Sequence, residues 1–64
     1  MINVNKLKGR MAEKGITGIE MADIIQKTPK TFYSKMKAGV FDSNEIEAMV
    51  KALDIKNPME IFFA

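Results

Sequence analysis

TGIEMADIIQKTPKTFYSKMK, residues 17–37, contains two helix starts close together. Thr17 and Glu20 have the capping-box form, a hydroxyl at the N-cap and a carboxylate three residues on. The helix they open carries Met21, Ala22 and Ile25 on one face. Gln26 and Lys27 interrupt the pattern. Thr28 then offers a second cap, and Pro29 sits at N1, where a missing N–H costs nothing. This second helix runs to Lys37 or Ala38, and Gly39 supplies a left-handed C′ residue. The spacing predicts two short helices joined by a turn of about three residues, with the small Ala22 where steeply crossing backbones approach.

Helical signals continue on both sides. Val4, Leu7 and Met11 recur at helical spacing over about Asn3 to Lys14, and Gly15 ends the run. Asp42-Ser-Asn-Glu45 repeats the capping-box pattern ahead of Ile46, Met49, Val50 and Leu53, an i, i+3, i+4, i+7 stripe. Glu47 and Lys51 form an i, i+4 pair on its outer side, contributing about 0.3 kcal/mol. Asn57, Pro58 and Glu60 start a short last helix through Ile61 and Phe62. No run alternates with period two for long enough to argue a strand. The expected fold is all-α, one compact bundle of about five short helices over residues 1–64.

Composition narrows the function. The chain has 64 residues, no cysteine and no histidine, which removes disulfides, thiolate metal sites and the commonest general base. Glu13, Glu20 and Asp23 stand at solvated-face spacing, and no nucleophile–base pair or phosphate-cradling glycine loop is present. The expectation is therefore no enzyme, no metal and no cofactor. No stretch approaches the ~20 apolar residues of a membrane span and no signal-peptide core is visible, so the cytoplasm is the expected location. The net charge is only +2, but residues 1–41 hold eight basic against three acidic side chains and residues 42–64 two against five. Such asymmetry assigns one face to a polyanion and another to something else.

With these features the chain resembles the Cro/CI-type helix-turn-helix family of phage and bacterial transcriptional repressors. The resemblance runs from about Leu7 through Phe63. It rests on Leu7, Met11 and Lys14-Gly15-Ile16-Thr17, on Met21-Ala22-Asp23-Ile24-Ile25, on Thr31-Phe32-Tyr33, and on Ile46, Leu53, Ile55, Met59, Ile61, Phe62 and Phe63. Two positions depart from the family pattern. Gln26 stands where the family usually has glycine, because that residue often takes φ > 0, and a side chain there costs about 1 kcal/mol. Lys35 replaces a residue that is commonly apolar, and Met36 is expected to take over its packing.

The resemblance implies a lambda repressor-like DNA-binding domain with a helix-turn-helix over about residues 18–37, whose second helix enters the major groove. Carried over by position, Pro29, Lys30 and Ser34 face the bases. Thr28, Thr31, Tyr33 and Lys37 lie where donors reach phosphates, and so do Thr17 and Gly18 at the preceding helix N-terminus. Plainer readings stand beside these. The lysines would equally solubilise an exposed helix, Tyr33 beside Phe32 would equally be core, and both threonines are caps first. The six methionines are read as core filler. Phe62 and Phe63 cannot both face one small core, so Ile61, Phe62 and Phe63 are candidates for a homodimer interface. The expected function is operator binding as a homodimer by a Cro-like repressor, with double-stranded DNA as partner and no small-molecule substrate. The alternative is an antirepressor or repressor modulator, a protein-interaction module on the same fold.

Overall fold

The computed structural model describes residues 2–63, and within them the chain is all-helical. The helices are α1 (Val4–Lys14), α2 (Gly18–Ile24), α3 (Pro29–Ala38), α4 (Ser43–Leu53) and α5 (Pro58–Phe62). No helix among the described residues is long and apolar enough to cross a membrane.

Local chemistry sets most of the boundaries. Asn3, Thr17, Thr28 and Asp42 each accept a backbone N–H three residues on, and the boxes Thr17–Glu20 and Asp42–Glu45 are closed in both directions. Asn57 departs from expectation: its side chain caps nothing, and α5 starts on Pro58 alone. Four helices end through a left-handed residue whose following N–H groups return to the last carbonyls. Gly15 and Gly39 do this for α1 and α3, where no Cβ opposes a positive φ. Gln26 does it for α2 at φ 59°, with Gln26 N–H donating to Asp23 O and Lys27 N–H to Ala22 O. Asp54 does it for α4 at φ 50°.

One core unites the helices, built on Leu7, Met21, Phe32, Met49 and Leu53, all fully buried. Met11 and Met36 join them, so four methionines fill the core as expected. Met59 is exposed and Met1 lies outside the described residues. Ala22 has no exposed surface and lies in α2, which makes its most extensive contact with α3. α4 packs on both α1 and α2, and α5 closes against α1, where Asn3 N–H donates to Ile61 O at 2.6 Å.

The C-terminal trio is corrected here. Ile61 and Phe62 are core residues, while Phe63 is 57% exposed. Phe62 is the last residue of α5 and packs inward beside Ile61, whereas Phe63 is the C-cap with non-helical backbone and lies exposed beyond the helix. The patch expected of all three does not exist, and only Phe63 remains open to a partner.

Candidate nucleic-acid interface

α3 divides cleanly by face. Phe32 and Met36 point into the core, and Lys30, Ser34 and Lys37 follow at i, i+4, i+7 on the exposed side. The three span about 10 Å along the helix axis at 1.5 Å per residue. Pro29 and Thr28 are exposed at the N-terminal end. Among the described residues, Lys27, Lys30 and Lys37 make no salt bridge. The first turn of α3 contains no carboxylate, whereas α2, α4 and α5 each carry a glutamate there. The positive end of the α3 dipole is thus left uncompensated beside two lysines.

The hydroxyl groups are already organised. Thr28 Oγ1 accepts the Thr31 N–H at 3.2 Å and donates to Thr31 Oγ1 at 3.0 Å, which leaves the Thr31 proton free for an external acceptor. Tyr33 combines both of its readings. Its ring meets Phe32 edge-on at 5.5 Å between centroids, yet half of the residue is exposed. Its hydroxyl rests against Gly18, where any Cβ would collide with the tyrosine ring. Gly18 is therefore a packing position that seats Tyr33 between α2 and α3.

Thr17 is first of all the cap of α2. Its N–H donates to Glu20 Oε1 at 2.9 Å and its Oγ1 accepts the Glu20 N–H at 3.2 Å. These bonds, the Thr17 N–H first, hold the Glu20 carboxyl below its ordinary 4.5. The Thr17 N–H and hydroxyl are thus engaged with Glu20 inside the α2 cap. What the structure keeps together is Thr28, Pro29, Lys30, Thr31, Tyr33, Ser34 and Lys37, all on α3 or its cap.

Two basic residues that raised the apparent charge of this half are spent internally. Lys35 Nζ donates to both carboxylate oxygens of Glu45, at 2.8 and 2.9 Å, and Glu45 is only 3% exposed. Glu45 Oε1 also accepts the Asp42 N–H at 2.9 Å, so one carboxylate closes the α4 cap and ties α3 to α4. Arg10 donates from Nε to Leu53 O at 2.9 Å and from Nη2 to Asp54 O at 3.0 Å, covering the last carbonyls of α4. Sequence reasoning found neither bond. The only hint was the lysine at a usually apolar position.

No group of three or more acidic, histidine or cysteine side chains among the described residues is arranged to hold a metal ion. No family model, no curated protein and no solved structure matches the chain.

Proposed function

We propose that this chain is a sequence-specific DNA-binding regulator of the Cro/CI helix-turn-helix kind, a phage- or prophage-type repressor acting in the cytoplasm as a binder and not a catalyst. The observation that carries the reading is the exposed Lys30–Ser34–Lys37 stripe of α3, with no internal ion pair and no carboxylate in its first turn. In this reading α3 lies in the major groove. Lys30 donates to guanine O6 and N7, Ser34 bonds a neighbouring base edge and Pro29 makes an apolar contact. Lys37 and the hydroxyls of Thr28, Thr31 and Tyr33 hold phosphates and so fix the register. Two copies bind half-sites about 34 Å apart on a palindromic operator. The two copies act as a homodimer whose contact surface lies outside Ile61 and Phe62, which are core residues.

Selection of duplexes from a randomised library by the pure protein tests this. A single enriched half-site motif is the expected outcome. On the enriched duplex, Lys30→Ala is expected to cost about 1–3 kcal/mol and to relax the preference at one base pair. Lys37→Ala is expected to weaken every duplex alike. Absence of any enrichment, or equal sequence-independent losses for both variants, would remove Lys30 as a base reader.

A further inference from the structure

We propose that the cleft between α4 and α5 docks a short apolar segment of another protein flanked by lysine or arginine. The cleft has a volume of about 600 Å³. Phe41, almost wholly buried, lies at its floor, the half-buried Ile46 and Val50 form the α4 wall, and Phe63 stands exposed at the α5 lip. Asp42 and Glu47 are the charged members of the lining, both exposed, and none of the lining residues is basic. Lys51 reaches Glu47 only at 3.7 Å, with both side chains more than two-thirds exposed, so water screens that pair and Glu47 keeps its pull on a cation.

An apolar trough with a carboxylate rim selects its occupant by charge. Nucleic acid is repelled. A second copy docked by two-fold symmetry would bring Asp42 and Glu47 of both chains to one seam, where like charges oppose each other. A stable self-association would also need about 800 Å² from each partner, roughly a fifth of the 4198 Å² this chain exposes. A few residues of an apolar segment fill the trough directly, and their basic flanks meet the rim. This surface is independent of α3, so the inference stands or falls separately from DNA binding.

Panning a displayed random-peptide library on the full chain tests it. The expected winners carry two or more large apolar residues flanked by lysine or arginine, and they shift the amide resonances of Ile46, Val50 and Phe63. Their affinity is expected to fall about tenfold with Val50→Lys, a change of about 1.4 kcal/mol. It is expected to fall severalfold with Glu47→Lys, a position too exposed to affect folding. Enrichment of acidic or uncharged peptides overturns the proposal, as do resonance shifts elsewhere or equal affinity for wild type and Glu47→Lys. Sedimentation that finds a dimer dissolved by Val50→Lys would give the cleft to a second copy and overturn it as well.

Discussion

Gln26 holds a left-handed backbone at φ 59° so that its own N–H and that of Lys27 can close the end of α2. An L side chain in this conformation costs about 1–2 kcal/mol, part of which glycine would return as extra entropy of the unfolded chain. Gln26→Gly is therefore expected to stabilise the protein by about 0.5–1 kcal/mol, read as a higher urea midpoint at unchanged slope. A lower midpoint would mean that the Gln26 side chain makes contacts worth more than the strain. Composition and periodicity alone do not mark this residue; only likeness to a family with glycine at the position predicts the positive φ. Asp54 adopts the same conformation, and no pattern in the sequence announced it. Gly18→Ala belongs to the same scale. The new methyl would meet the Tyr33 ring and hydroxyl, and the half-exposed tyrosine is expected to swing outward with a small loss of stability, visible as a changed tyrosine emission. Unchanged emission would mean that Tyr33 is not seated on Gly18.

Helices were legible where their signals are local. A cap and its N3 partner lie three residues apart, and glycine or proline marks an end whatever the rest of the chain does, so the caps Thr17, Thr28 and Asp42 were readable before the fold. What joins one helix to another was not. The Lys35–Glu45 bond spans ten residues and the bonds from Arg10 to α4 span more than forty, distances at which no periodicity speaks. Glu45 read as a cap, correctly, while its second role depended on where α3 would lie. Breaking a buried ion pair costs about 3–5 kcal/mol when the remaining charge stays buried; since Lys35 is about a third exposed, Glu45→Gln is expected to cost nearer 2 kcal/mol. Lys35→Met, which leaves Glu45 buried and unpaired, should destabilise more than the double variant Lys35→Met/Glu45→Gln. A double variant worse than both singles would show that the pair contributes little. Ala22→Leu tests the α2–α3 contact. Ala22 has no exposed surface, and overpacking such a site costs about 1–3 kcal/mol. An unchanged melting temperature would mean that the helices do not meet there.

At the scale of the molecule, electrostatics sets how stability depends on pH. Glu20, Asp42 and Asp54 titrate below their ordinary values of 4.5, 3.8 and 3.8, held down chiefly by the Thr17 N–H, the Glu45 N–H and Lys56 respectively. A folded value below the unfolded one contributes stability above the unfolded pKa, and that stability disappears as pH falls through the folded value. With no histidine in the chain, the urea midpoint is expected to stay level over about pH 5.5–7 and to fall steadily below about pH 4.5. A step near pH 6.5 would contradict this assignment of the titrating groups. The charge asymmetry was legible in the sequence, but its meaning changed once Arg10 and Lys35 were found bonded internally, since Lys27, Lys30 and Lys37 are then the lysines left without a salt bridge on and beside α3. The molecule measures 26 × 23 × 20 Å, so in the proposed reading one copy would cover less than the ~34 Å of a DNA turn and meet a single half-site. The central claim is that the exposed α3 stripe binds duplex DNA through its free lysines. Fluorescence anisotropy of a labelled duplex, titrated with wild type and with Lys30→Ala/Lys37→Ala at 50 to 200 mM salt, tests it most directly. Affinity is expected to fall as salt rises, and the double variant should bind more weakly with a log–log slope shallower by about one to two units. No binding by the wild type at the lowest salt, or identical curves for the two proteins, would contradict the account.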